Sequence, residues 1–114
     1  METEIREVIY SEEYEAYYAH LDRRTKEKYD YVTQVIKTQY RVNKKFVKHL
    51  EGTPFYEARI SVGTDEHRTT LFAIETTNFM ECKRVLYLNS FLKKDTKQYK
   101  GEIRKAHQIL EKYL

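Results

Sequence analysis

Two hydrophobic periods divide this chain. Near its start, Ile5 with Ile9 and Val8 with Tyr10 approach alternation over Glu4 to Tyr10, which predicts a first strand. Ser11 then reads as a helix N-cap, with Glu12 and Glu13 in a first turn where the helix dipole favours negative charge. From Glu12 to Leu21 the spacing of Tyr14, Tyr17, Tyr18 and Leu21 puts four side chains on one helical stripe. A second helix is predicted from about Thr25 to Gln39, with Tyr29, Val32, Val35, Ile36 and Tyr40 at helical spacing. The short link Asp22-Arg23-Arg24 makes the two helices an antiparallel hairpin. Their tyrosines suit a core, where the ring is buried and the hydroxyl stays wet; the alternative is a base-stacking platform.

The period then changes. Arg41 to Leu50 holds Arg41, Lys44, Lys45, Lys48 and His49 and no acid, and Phe46, Val47 and Leu50 predict one short helical turn ended at Gly52 and Pro54. From Tyr56 to Val62 strict alternation puts Tyr56, Ala58, Ile60 and Val62 on a core face and Phe55, Glu57, Arg59 and Ser61 on a polar one. The polar turn at Gly63-Thr64-Asp65-Glu66 predicts an antiparallel hairpin with a strand over His67 to Ile74. In that strand Arg68, Thr70, Phe72 and Ile74 share one face, Leu71 and Ala73 the other. Apolar residues on both faces at its end imply a central strand covered on each side. A third strand over Cys82 to Phe91, a basic loop over Asp95 to Lys100 and a last helix from Lys100 or Gly101 complete the order. The last helix carries Ile103, Ala106, Leu110 and Tyr113 or Leu114 on its apolar stripe. This segregated order predicts an α+β domain, a small antiparallel sheet packed on a helical hairpin and a C-terminal helix.

Length and composition narrow the class. A chain of 114 residues, 40% apolar and 34% charged, is expected to be a single domain over residues 1–114. It lacks an apolar run of membrane-spanning length, and its acidic N-terminus is unlike a signal peptide, so a cytoplasmic protein with no membrane partner is expected. One cysteine, Cys82, excludes an internal disulfide and a multi-cysteine zinc site, and reads as a buried thiol. Residues 1–22 carry seven acids against Arg6 alone, a balance of −6, so the remaining 92 residues carry +9 of the net +3. Such a body attracts polyanions or acidic segments.

Candidate chemistry is limited. The three glycines form no phosphate-binding loop, and His20, His49, His67 and His107 have no metal-ligand spacing, so neither a metal nor a cofactor is expected. What remains is a set of cations: Arg59 and Arg68 in adjacent strands, Lys93 and Lys94 after the third, and Lys45 and Lys48 before the first. On one sheet face, such cations could hold a phosphodiester and stabilise the charge that grows on its oxygens. A neighbouring RNA 2′-hydroxyl could then serve as internal nucleophile.

The segments Lys48-His49-Leu50-Glu51-Gly52, Tyr56-Glu57-Ala58-Arg59, His67-Arg68, Phe91-Leu92-Lys93-Lys94 and Glu102-Ile103-Arg104-Lys105-Ala106 resemble, in order and spacing, the HigB-like branch of the RelE/ParE toxin superfamily. The resemblance spans about residues 44–110 and implies a toxin of a bacterial type II toxin-antitoxin system. Such a protein is typically a ribosome-dependent mRNA endoribonuclease (an mRNA interferase that inhibits growth), held by a cognate helix-turn-helix antitoxin. It implies that Arg59, Arg68, Lys93 and Lys94 act at the scissile phosphate, and that Lys45, Lys48, Lys97 and Tyr99 bind RNA. Two positions depart from the pattern: His67 stands where tyrosine is usual, and Tyr99 lies where a proline commonly precedes the last helix. His67 is read either as a proton shuttle or as a plain sheet residue; Tyr99 either stacks on a base, donates a proton or packs on the last helix. The alternatives for function are a ParE-like gyrase inhibitor and a non-catalytic module that binds RNA or an acidic peptide.

Overall fold

Five strands and three helices form an α+β domain in the computed structural model, which describes residues 3–114. The strands are β1 (Glu7–Tyr10), β2 (Val47–His49), β3 (Phe55–Val62), β4 (Asp65–Ala73) and β5 (Arg84–Leu92). The helices are α1 (Glu12–Ala19), α2 (Arg23–Thr38) and α3 (Gln98–Glu111), with a short 3₁₀ turn at Phe79–Glu81. Strand order is β1-β5-β4-β3-β2. Every neighbouring pair is antiparallel except β1 and β5, which run parallel, so the sheet is mixed where an antiparallel one was expected. No helix among the described residues is long and apolar enough to cross a membrane.

Local chemistry sets the start of α1 as expected. The Ser11 hydroxyl accepts a hydrogen bond from the Tyr14 amide at 2.9 Å and donates to the Leu88 carbonyl, pinning α1 to β5. The Asp22 carboxylate accepts from the Thr25 amide at 2.8 Å, so the predicted link residue Asp22 is the cap of α2, which begins at Arg23. The α1–α2 hairpin covers one sheet face. Tyr14, Tyr29, Val32, Val35 and Ile36 pack there on Ala58, Ile60, Leu71 and Tyr87. The tyrosine stripe is thus core. Tyr40 is not part of it, because α2 stops at Thr38 and leaves that ring exposed.

Three expectations are corrected. Residues 46–50 hold strand β2, not a helical turn: Val47 sits opposite Ala58, and the β3 backbone supplies hydrogen bonds that an isolated turn lacks. Phe55, assigned to a polar face, is fully buried, because α3 lays Ala106, Ile109 and Leu110 over that end of the sheet beside Leu86 and Leu88. The last helix starts earlier, at Gln98. Its first turn is fixed by the Asp95 carboxylate on the Gln98 amide at 3.1 Å and by the Gln98 side chain, which donates to the Leu92 carbonyl at 3.0 Å and accepts from the Lys94 amide at 2.9 Å.

The β3–β4 hairpin turns tightly at Gly63, whose φ of 61° is a conformation that glycine adopts without steric cost. Between β4 and β5 the register slips at Thr69 to Leu71, a bulge that brings Asn89 to the α3 side. There its amide donates to the Glu102 carbonyl at 3.1 Å and the Glu102 carboxylate at 3.0 Å. These contacts set the distance of α3 from the sheet and leave the far half of the same face, toward the β3–β4 turn, to polar residues.

Candidate functional site

Alternation along β3 puts Glu57, Arg59 and Ser61 on the α3 side, beyond the apolar patch. Register then decides their neighbours: Arg59 lies directly opposite Arg68, Ser61 opposite Glu66, and Glu57 opposite Lys48 on β2. Like charges directly opposite each other in a ladder repel. The pair of arginines is tolerated because a carboxylate lies between them. Glu57 Oε2 accepts from Arg59 Nε at 3.3 Å, and Glu57 Oε1 lies 3.6 Å from Arg68 Nε. That second separation is an ion pair and too long for a hydrogen bond, so the buried Arg68 Nε–H has no hydrogen-bond acceptor among the described residues.

Arg68 is held from further sides. One terminal nitrogen donates to the His67 carbonyl at 2.9 Å and to the Glu66 carboxylate at 3.4 Å. Glu66 also accepts from the Ser61 hydroxyl at 2.9 Å, and that bond, with Arg68 close by, holds its carboxyl below the usual carboxylate range. The Tyr99 hydroxyl, projecting from the first turn of α3, donates to Glu57 Oε1 at 2.6 Å. Burial, and then the Glu57 carboxylate it bonds, push the Tyr99 phenol up to about 12. Tyr99 is therefore a firmly protonated donor at neutral pH. Its ring packs edge-on against Phe91 at 5.6 Å, and the Lys93 ammonium sits over it at 5.9 Å.

The expected open cationic face is thus closed over one of its arginines. The Arg68 and Glu57 side chains are each only 5% exposed, whereas Arg59 is 30% exposed. Desolvated guanidinium is retained only with a counter-charge, and Glu57 and Glu66 supply it. Lys48 is exposed at the β2 edge beside Glu57. Lys45 lies beyond that edge, its ammonium 5.0 Å over the Phe46 ring. With Lys28, Tyr31, Phe46, Arg59 and Ser61 it lines a groove of about 400 Å³ that wraps the edge of β3. Lys93 is half-buried against Tyr99, while Lys94 and Lys97 are exposed in the loop that enters α3. The structure therefore brings together Arg59, Arg68, Lys48, Lys93 and Tyr99, with Lys45 joined through the groove. For Lys94 and Lys97 it gives no contact with the cluster.

Glu57 was missed as a site residue. Its signal was present in the alternation, which put it on one face with Arg59, two residues along the same strand.

His67 lies on the opposite face. Its Nδ1 hydrogen-bonds the Tyr17 hydroxyl at 2.9 Å, its ring packs against Tyr29, and burial lowers its pKa. It is a sheet residue packed under the helical hairpin, and the backbone of β4 separates it from the arginines. His107 is exposed on α3 with its ring 4.7 Å from Phe55. Cys82 is buried, which pushes its thiol up, away from a nucleophile. No set of three or more His, Cys, Asp or Glu side chains among the described residues is arranged to hold a metal ion.

The cluster can do two things chemically. A carboxylate flanked by two guanidinium groups can accept a proton beside a bound anion, and the guanidinium groups can stabilise charge on that anion. No family model, no curated protein and no solved structure matches this chain.

Proposed function

We propose that this protein is a metal-independent endoribonuclease of the toxin type, which cleaves translated mRNA on the ribosome and is held inactive by a cognate antitoxin. The observation that carries the reading is the direct opposition of Arg59 and Arg68 across β3 and β4, with the Glu57 carboxylate between them. The target, ribosome and antitoxin rest on the resemblance of the motifs.

The chemistry needs no group from outside the chain. Arg59, the more exposed arginine, takes the scissile phosphate at the mouth of the basic groove. Glu57 accepts the proton of the adjacent 2′-hydroxyl, whose oxygen attacks phosphorus. Arg59 and Arg68 stabilise the charge that develops on the phosphoryl oxygens. The bond to the 5′-oxygen breaks, and that oxygen takes a proton from Tyr99 or Lys93. Products are a 2′,3′-cyclic phosphate and a 5′-hydroxyl. Phosphate entry also gives Arg59 a partner to replace Glu57, which frees the carboxylate for its proton.

The test is a translating-ribosome assay with purified protein, mapping cut sites and end groups. Cleavage leaving cyclic phosphate ends, lost in Arg59→Ala, is expected. Intact transcripts with a growth-arrested host would overturn the reading in favour of a gyrase inhibitor.

One observation favours a second reading. Arg68 is already matched by two carboxylates and largely buried, as in a domain that docks RNA through Lys45, Lys48 and Arg59 without cutting it. In that case Arg59→Ala weakens RNA binding, and no cleavage is seen in the parent protein either.

A further inference from the structure

On the helical side of the sheet, far in the fold from the arginine cluster, a cavity of about 260 Å³ is lined by Tyr10, Tyr14, Glu15, Tyr18, Asp30 and Thr33. Its chemistry is opposite to that of the basic groove. Tyr10, Tyr14 and Tyr18 form a row of near-parallel rings, 5.3 Å and 6.1 Å between successive centroids and tilted by only 24° and 25°. Glu15 and Asp30 are exposed carboxylates at the same opening. No lysine or arginine lines it.

The hydroxyls are incompletely used. Tyr18 donates to Asp30 Oδ1 at 2.8 Å, and Tyr87, which packs under Tyr10 and Tyr14, shares a hydrogen bond of 3.0 Å with Thr33. Tyr14 is only 4% exposed, yet its hydroxyl has no hydrogen-bond partner among the described residues, and neither has that of Tyr10. The Tyr14 hydroxyl borders a cavity that could hold a partner for it. The Tyr14 phenol is raised by burial first and then by its neighbouring phenols and Asp30, and Tyr10 by burial and then Asp30, Glu4 and Glu15. The Glu15 and Asp30 carboxylates at the opening favour a positive guest.

The geometry points to a binding site for an organic cation, specifically a guanidinium group, in the pocket of Tyr10, Tyr14, Tyr18, Glu15 and Asp30. Guanidinium suits it better than ammonium. It is planar and weakly hydrated, and its fork of donors can meet phenol and carboxylate oxygens together. The volume, at about 30 Å³ per water, admits the group and its adjoining methylenes. The chain itself illustrates the attraction: the Lys26 ammonium sits 5.5 Å from the Tyr18 ring, though Lys26 does not line the cavity. The same chemistry could reach the pocket as a free guanidino compound or as an arginine side chain of a protein partner.

The experiment is a titration of the full chain with methylguanidinium, followed through tyrosine ring signals by NMR, with methylammonium as comparison. Saturable shifts at Tyr10, Tyr14 and Tyr18 are expected, with methylguanidinium the tighter ligand. Removing one charged acceptor by Asp30→Asn should weaken it about tenfold, equivalent to about 1.4 kcal/mol, and Tyr14→Phe should also weaken it. Asp30 and Glu15 are exposed, so Asp30→Asn and Glu15→Gln test the site even if Tyr14→Phe perturbs the core. Agmatine and a tripeptide with one central arginine then distinguish the sources: whichever binds more tightly names the class of natural ligand. Absence of saturable shifts, or shifts unchanged in Asp30→Asn with Glu15→Gln, would overturn the inference.

Discussion

Glu57→Gln separates what the carboxylate does for the fold from what it does for a reaction. The substitution keeps the shape of the side chain and an oxygen that can accept the Tyr99 hydroxyl, but deletes the charge between Arg59 and Arg68. Arg68 then retains the Glu66 carboxylate at 3.4 Å and the His67 carbonyl at 2.9 Å. Breaking a buried ion pair by removing one partner costs about 3–5 kcal/mol. Glu66 stays in place but is 41% exposed, so its pairing is screened and offsets only part of this. A loss of about 2–4 kcal/mol is expected, less than the stability of about 5–15 kcal/mol typical of a domain. The variant should therefore fold. Urea denaturation followed by circular dichroism measures the loss as a lower midpoint at unchanged slope. Under conditions where both proteins are folded, RNA cleavage should fall by about 10²–10⁴-fold if Glu57 is the base. Glu57→Asp, which restores the charge but withdraws it by one methylene, should recover stability better than activity. A Glu57→Gln protein within about 0.5 kcal/mol of the parent, the usual range for an uninvolved surface change, would refute the charge pairing. A folded variant with full cleavage would refute the base.

Three further outcomes follow from the same structure. Arg6 is 2% exposed and donates to five backbone carbonyls, those of Ile36, Gln39, Tyr40, Phe79 and Met80, so Arg6→Met should destabilise by at least about 3 kcal/mol in urea; a loss below about 1 kcal/mol would contradict that role. Burial depresses His67 below its ordinary 6.5, so the unfolded chain binds the proton more readily and stability must fall as pH drops below about 6.5; melting at pH 5.5 and 7.5 should show this in the parent and not in His67→Phe. Lys48→Ala should leave stability unchanged but weaken RNA binding and lower its salt slope by about 1, read from binding at several salt concentrations; an unaltered slope would remove Lys48 from the interface.

Periodicity carried most of the fold. Helix α1 and helix α2 follow from stripes that recur over two turns or more, and the cap Ser11 is a local signal, whereas Asp22, read as part of the link, caps α2. Strands β3 and β4 follow from alternation, and the placement of Ala58, Ile60, Leu71 and Ala73 on one face matches the core. Strand β2 failed for a physical reason. Three residues contain too little pattern to show a period, and its existence depends on hydrogen bonds to β3, a partner that local sequence does not name. Phe55 failed likewise, since its burial comes from α3, more than forty residues away along the chain.

For the site, the decisive quantity was register. Alternation can say that Arg59 and Glu57 share a face, but only the ladder shows that Arg59 meets Arg68 and that Glu57 lies within reach of both. Counting cations from the sequence therefore overstated the positive field, because each arginine is offset by a carboxylate that the count held separately. The pairing also changes what recognition must accomplish. A phosphate approaching an open pair of arginines would meet two free donors, whereas here it must compete with Glu57 for Arg59 while Arg68 stays in place. In the proposed reaction that competition links binding to activation: the displacement that seats the phosphate also loosens the carboxylate that would take the proton. An anion unable to displace Glu57 would bind the lysines of the groove alone, and the site would stay closed.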